Sequence, residues 1–347
     1  MYSVDKFGYK NILLNFHEQI KESKSIYDSA QIKLDQKRIK NILYVGMGGS
    51  AIVGNILYDV LFDQIKIPMD VVRGYFVPHY CNENTMVIAS SYSGNTEETI
   101  NALQQAHDKG AQIVVTSSGG QLKNIAEAKH WQRLIIPSGL APRLAIGYLF
   151  FTVYHVLGKF NLIEGYNEHL TDLIRFVQNT AKRNDYMQTE GHVLSKELAH
   201  VIHGNIPVIY STAPYLKTVS YRWQNQFQEM GKSMAFANVL PEINHNEIMG
   251  WEHNIDVLDR FIVIFLENET PHPKIKKRIE LSKEIIKRRG VRVVDIYTDG
   301  KNTMEKIFSA IMLGDWVSYY LALAYKKDPN EISHINFVKQ ELAKLNN

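Results

Sequence analysis

The chain has 347 residues, 45% of them hydrophobic and 22% charged, with a formal net charge of +3. That length suits two domains with a sizeable core, and without a long basic run nucleic acid is not an implied partner. The single cysteine, Cys81, excludes an intrachain disulfide and a thiolate metal cluster, no secretory leader is visible, and no run reaches ~18 consecutive apolar residues, so a cytoplasmic protein with no membrane span is expected.

Residues 9–34 carry apolar positions at helical spacing, including Ile12, Leu13, Phe16 and Ile20. They predict a leading helix packed on the first domain. Residues 41–45 read as a buried strand that runs into Gly46-Met47-Gly48-Gly49-Ser50-Ala51 and then an apolar helix over 52–62. Residues 68–72 read as the next strand, and 86–89 as another buried one. After the turn 90–95, Thr96 is a good N-cap for a helix over 97–109, with Glu97 and Glu98 in its first turn and Gly110 as its stop. Strand 112–116, helix 121–128 and strand 134–136 follow. A long apolar helix begins after Pro142-Arg143.

Residues 155–200 are helical and more polar. The strand pattern then returns at 206–210, 236–238, 261–266 and 291–296, with helices over 216–231, 275–289 and 303–326. Residues 331–345 form a last helix, and the tyrosines Tyr319, Tyr320 and Tyr325 read as packing residues. Strand and helix alternating twice predict an α/β chain with two doubly wound parallel-sheet domains. The expected division is residues 1–155, 156–327, and a terminal helix over 328–347.

The chemistry concentrates in two turns. Ser90-Ser91-Tyr92-Ser93-Gly94-Asn95-Thr96 leads from strand to helix and aims main-chain N–H groups and hydroxyls at one spot, which suits a phosphate. It has no lysine, so it is not a nucleotide P-loop. The glycines at 46–51 fit a relaxed dinucleotide pattern, with Asp70 near the end of the next strand where a ribose-binding acid belongs, so a nicotinamide or flavin enzyme is a live reading. A dinucleotide has no need of Ser91, Ser93 and Thr96 on the neighbouring strand, and this favours a sugar phosphate.

These motifs carry a resemblance. Gly46-Met47-Gly48-Gly49-Ser50 followed by Ser91-Tyr92-Ser93-Gly94-Asn95-Thr96-Glu97-Glu98-Thr99 resembles the sugar isomerase (SIS) domain. With Pro142-Arg143, Gln228-Glu229-Met230-Gly231-Lys232, residues 241–247, Asp328-Pro329 and Lys339, nearly the whole chain resembles the bifunctional phosphoglucose/phosphomannose isomerases, which have two SIS domains in tandem. The resemblance implies interconversion of glucose 6-phosphate and mannose 6-phosphate with fructose 6-phosphate through a cis-enediolate. It implies no cofactor and no metal, and a homodimer.

It also implies roles. Gly48, Gly49, Ser50, Ser91, Ser93 and Thr96 match the phosphate cradle. Glu229 matches the base that carries the proton between C1 and C2, Arg143 the cation beside the enediolate oxygens, and His245 and Lys339 the ring-opening groups, with His245 donated across the dimer. Read without the resemblance, Glu229 is a solvated helix carboxylate, Arg143 a first-turn cation, His245 a loop histidine and Lys339 a surface lysine. His245, Glu247, Glu252 and His253 match no helical zinc spacing. The family's Asp-Pro-Thr followed by Pro is replaced here by Asp328-Pro329-Asn330-Glu331, which bears on the mannose epimer, and Ser333 is a candidate substitute hydroxyl. A sugar-phosphate-sensing SIS regulator without catalysis stays open beside the oxidoreductase, although no DNA-binding helix-turn-helix precedes the domain.

Overall fold

Five short strands in the first half of the chain pair into one parallel sheet, and the three inner ones are near-continuously buried, as a parallel sheet covered on both faces requires. The computed structural model describes residues 4–188, 191–252, 255–268 and 272–344. Two compact units emerge, one from residues 15–178 and the other from residues 1–14 with 179–347.

The unit of residues 15–178 contains β1 (Asn41–Gly46), β2 (Met69–Val72), β3 (Thr85–Ser90), β4 (Gln112–Ser117) and β5 (Gln132–Ile135) in the order β2-β1-β3-β4-β5. Register brings Gly46 beside Ser90 and Ser90 beside Thr116, so three strands end in a row. The alternate residues Leu43, Val45, Val87, Ala89, Ile113 and Val115 pack on Ala102, Leu103 and Ala106 of helix α4 (Glu97–Asp108) and on Leu122 and Ala126 of α5 (Gly120–Ala128). Helix α3 (Gly48–Leu61) lies on Tyr44, which faces the other side: a Cβ on Gly54 would come within 2.5 Å of that ring. So the helices that leave β1 and β3 take opposite faces. That opens a crevice at the carboxyl ends of these two strands, the usual ligand position in an open α/β sheet.

Helices α2 (Phe16–Ala30) and α6 (Ile146–Lys159) pack together. The expected single leading helix is two, because α1 (Tyr9–Leu14) is separate and packs on α12 (Thr303–Ala324) in the other unit's core. Residues 160–170 stay with the first unit through a bridge between Ile65 and Ile163 and through Tyr154, whose hydroxyl accepts the Asn167 N–H at 2.9 Å.

His155 of α6 is buried between Ser23 (3.4 Å) and the Tyr166 hydroxyl (2.9 Å). Burial holds its imidazole down at about 4, with Lys24 acting in the same direction and Asp28 and Glu168 against it. An unfolded histidine titrates near ~6.5, so between these values the unfolded chain binds a proton that the folded chain does not. Stability should therefore fall as pH drops from ~6.5 to ~4, by up to ~3 kcal/mol. Denaturant midpoints across this range should show a shallower slope for His155→Gln, and an unchanged slope would contradict the assignment.

The second sheet is β6 (Ile206–Thr212), β7 (Phe236–Leu240), β8 (Phe261–Glu267) and β9 (Arg292–Tyr297), all parallel, in the order β7-β6-β8-β9. Among the described residues it repeats the strand order of the first sheet's β2, β1, β3 and β4. Helix α11 (Pro273–Lys287) shares a core with Val208, Tyr210, Val263 and Phe265, joined by Ile243, Trp251 and Leu258, the last of these in the short α10 (Ile255–Leu258). Helices α8 (Leu194–Ile202) and α9 (Lys217–Glu229) pack on α12. Helices α7 (Thr171–Asn184) and α13 (Ser333–Ala343) complete the chain.

Helix α12 is long and apolar enough to cross a membrane by length and composition, but 94% of its most apolar window is buried in the protein. It is core. Gly314 lets the Trp223 indole lie flat on it, since a Cβ there would come within 2.3 Å of Nε1. Beside it, Arg222 Nη2 donates to both Asp315 carboxylate oxygens at 2.9 and 2.8 Å, and Gln226 Nε2 donates to Oδ1 at 2.7 Å. Both charges are buried, so removing one leaves the other desolvated. Asp315→Ala should cost ~3–5 kcal/mol, read as a lowered denaturant midpoint. A loss under ~1 kcal/mol would show the pair to be weaker than its burial implies.

Candidate active site

The residues expected to hold phosphate meet at the β1/β3 crevice. Helix α3 starts at Gly48, not at residue 52 as the apolar pattern implied, because Gly48 (φ +49°) and Gly49 form its first turn. A Cβ on Gly48 would meet nothing within 4 Å, so open space lies over this helix start. A Cβ on Gly49 would lie 3.4 Å from the Arg143 main-chain nitrogen. Buried Arg143, in a single 3₁₀ turn at Pro142–Leu144, is thereby placed against the α3 N-terminus.

Each serine of the cradle is held in the same way. Ser50 Oγ accepts the Tyr92 N–H at 3.2 Å, Ser91 Oγ accepts the Gly94 N–H at 3.2 Å, and Ser93 Oγ accepts the Asn95 N–H at 3.3 Å. A hydroxyl that accepts a main-chain N–H still has its own proton to donate. Ser91 Oγ also lies 2.8 Å from Thr96 Oγ1. Thr96 is the N-cap of α4 as expected, but its side chain makes no capping bond, so the first-turn N–H groups of this 12-residue helix are not closed off by it. Serine hydroxyls and two helix N-termini gathered at one place make an arrangement that suits an anion. Ser50 and Ser91 are buried, Thr96 is half-buried and Ser93 is exposed.

Several residues that fix the cradle were not singled out from the sequence. The Tyr92 hydroxyl donates to Pro137 O (3.0 Å) and accepts from Leu140 N (2.8 Å). Ser118 Oγ donates to Tyr92 O at 2.6 Å, and Asn95 Oδ1 accepts from Gln121 N at 2.9 Å. Gly94 (φ +69°) has no alternative, since a Cβ would sit 1.8 Å from Gly119 O.

The strand order is not that of a dinucleotide fold. A dinucleotide fold runs its strands 3-2-1-4-5-6, whereas β2 here is an edge strand with β1 between it and β3. Asp70 is exposed on that edge and accepts a hydrogen bond from the Tyr80 hydroxyl.

The remaining candidates lie in the other unit. Glu229 is the last residue of α9 and is half-buried. His245 ends a 3₁₀ turn at Glu242–His245 and is exposed. The loop that carries His245 is built on Glu247, which accepts hydrogen bonds from the Tyr210 hydroxyl (2.6 Å) and Asn238 Nδ2 (2.5 Å). Tyr210 also accepts from Trp251 Nε1 at 3.1 Å. Glu247 is thus structural. His253 lies outside the described residues, and among those described no group of three or more His, Cys, Asp or Glu is arranged to hold a metal. Lys339 is exposed on α13, where Ile335, Phe337, Val338 and Leu342 are also exposed.

Parallel sheets with hydroxyl-rich turns at the strand switch point define a SIS-type α/β protein, and residues 192–342 match the family model described as the bacterial phosphoglucose isomerase C-terminal SIS domain. The chain belongs to the bifunctional phosphoglucose/phosphomannose isomerase family. A member from Caldicellulosiruptor bescii is 37% identical over 331 residues, covering 95% of this chain and 98% of the relative. Another, from Aquifex aeolicus, is 31% identical over 319 residues, covering 92% and 95%. In fold, the chain matches the crystal structure of a hypothetical protein from Thermus thermophilus with a TM-score of 0.76 at 14% identity, over 97% of this chain and 90% of that one.

Proposed function

We propose that this protein is an aldose–ketose isomerase that interconverts glucose 6-phosphate, and with it mannose 6-phosphate, with fructose 6-phosphate. The observation that carries the reading is the pair of serine turns at the ends of β1 and β3, whose three hydroxyls each accept a main-chain N–H, which leaves Ser50 and Ser93 a proton for an anion while Ser91 and Thr96 share a hydrogen bond beside them. The curated relatives, both bifunctional phosphoglucose/phosphomannose isomerases, supply the sugars.

The reaction moves one proton between C1 and C2 through a cis-enediolate. In this reading Glu229 takes the proton and returns it, which requires a single carboxylate on one face of the sugar. Arg143 lies beside the phosphate turns, where a permanent cation can stabilise the enediolate oxygens. His245 and Lys339 open the ring by moving a proton between the ring oxygen and O1. No step calls for a metal or a nicotinamide. The protein acts in the cytoplasm as a homodimer, with His245 serving the partner subunit. An exposed His245 and a terminal helix with exposed Phe337 and Leu342 support that assembly.

Incubation of the purified protein with glucose 6-phosphate and no cofactor should yield fructose 6-phosphate, and a requirement for a nicotinamide nucleotide would overturn the reading. Ser93→Ala should raise KM several-fold with kcat nearly unchanged, because phosphate is held about equally in the ground and transition states. A Ser93→Ala enzyme that kept its KM and lost only kcat would show the cradle to be misassigned.

A further inference from the structure

Lys232 is a lysine where a glycine belongs. It follows the end of α9 with φ +55°, the left-handed region that ordinarily takes Gly or Asn just past a helix. A glycine is next door, at 231, but is held there for its own reason: a Cβ would come within 2.8 Å of Phe227 O and 3.0 Å of the Leu321 side chain. The chain therefore accepts an unfavourable backbone at 232 and keeps a long cationic side chain. An outlier of this kind, three residues past a candidate base, points to a use for that side chain.

The use is visible in what the ammonium holds. Lys232 Nζ donates to the main-chain oxygen of Glu229 at 2.7 Å and to the main-chain oxygen of Glu331. The neighbouring ends of α9 are already closed, since Met230 and Gly231 N–H both reach Gln226 O and Ser233 N–H reaches Phe227 O. The lysine bond falls on the residue that carries the candidate carboxylate. At its other end, Glu331 sits in the turn from which α13 departs with Lys339. That turn is tightly folded, with Asn330 N–H on Asp328 Oδ1 at 2.8 Å and Ser333 N–H on Glu331 Oε1 at 2.6 Å. The N-cap of α13, Ile332, offers no side-chain cap, so the departure of this helix is fixed by the turn.

We infer that Lys232 is a positioning residue for the isomerisation: its ammonium clamps the main chain at Glu229 to the turn at 328–332, setting the aim of the Glu229 carboxylate and the departure of the helix that bears Lys339. The inference rests on the reading of Glu229 as the base. It also bears on sugar choice: the two C2 epimers present the C2 proton differently to a single carboxylate, so a change in the aim of Glu229 alters them unequally.

The test uses Lys232→Met, which keeps the stem and removes the donors, and Lys232→Gly, which suits the left-handed backbone and removes the clamp without strain. The full-length variants are assayed with glucose 6-phosphate and mannose 6-phosphate, each with protium or deuterium at C2. The clamp predicts a fall in kcat of ~10–100-fold, the scale of a misplacement of about 1 Å. KM should stay within about threefold, because the phosphate cradle is untouched. The isotope effect on kcat should rise as proton transfer becomes slower, the ratio of mannose to glucose turnover should shift, and Lys232→Arg should recover most of the loss. A residue that only stabilised the fold would lower the melting temperature and leave the isotope effect and the epimer ratio unchanged in the folded fraction.

Wild-type kcat and isotope effect in Lys232→Gly would overturn the clamp, as would a loss in Lys232→Met that Lys232→Gly does not share. Glu229→Gln, run beside them, separates the two claims. If it still exchanges the C2 proton at the wild-type rate, the base is misassigned. If it is silent while Lys232→Gly is normal, only the clamp is wrong.

Discussion

Glu229→Gln should lower kcat by at least ~100-fold, the scale of a lost general base, and should slow exchange of the C2 proton with solvent to the same degree. The amide keeps the size and most of the packing of the carboxylate, so the fold should be unaffected. Glu229 is half-buried at the last position of α9, with its main-chain oxygen held by Lys232 Nζ. The substitution leaves that main-chain bond in place, and KM should change little because the phosphate turns lie elsewhere. The paired measurement matters. Loss of turnover with wild-type exchange would mean that another group carries the proton and that Glu229 serves a different step.

His245→Ala should abolish most turnover of cyclic sugar phosphate while leaving proton transfer on an open-chain substrate largely intact, because ring opening and C1–C2 transfer require different groups. The side chain is exposed at the end of a short turn, and no polar partner of it is found among the described residues. Among the described residues nothing fixes this side chain, which suits donation to a partner subunit. If His245 serves the partner's site, mixing inactive Glu229→Gln with inactive His245→Ala protein should restore activity after subunit exchange. One site of each mixed dimer carries both changes and the other carries neither, so recovery should approach one active site per mixed dimer. Exchange confirmed by mass with no return of activity would place the histidine in its own chain's site.

Much of this was legible in the chain itself, for physical reasons. Strands β1, β3 and β8 are unbroken apolar runs, which only a sheet buried on both faces accommodates. The meeting of the serine turns was legible because its determinants are local: small residues and hydroxyls lie between a strand and a helix, as at Ser91, Ser93 and Gly94. Non-local determinants were hidden. Nothing near Tyr92 in sequence says that its hydroxyl reaches Pro137 and Leu140, more than forty residues on. The split at Asn15 that gives α1 to α12 and α2 to α6 depends on which core each helix meets, and helical periodicity is the same on both sides of it. The early start of α3 was missed because glycines usually break helices, whereas here they let the first turn lie against Arg143. Lys232 carries no sequence signal of its left-handed backbone at all.

The central claim is proton transfer through an enediolate without a cofactor, and solvent isotope incorporation tests it most directly. Dialysed protein is incubated with glucose 6-phosphate in D₂O and followed by NMR. The account predicts fructose 6-phosphate with deuterium at C1, deuterium washing into C2 of the remaining glucose 6-phosphate as turnovers accumulate, and both signals lost together in Glu229→Gln. Fructose 6-phosphate formed over many turnovers with no solvent deuterium would mean a hydride shift, and would contradict the account.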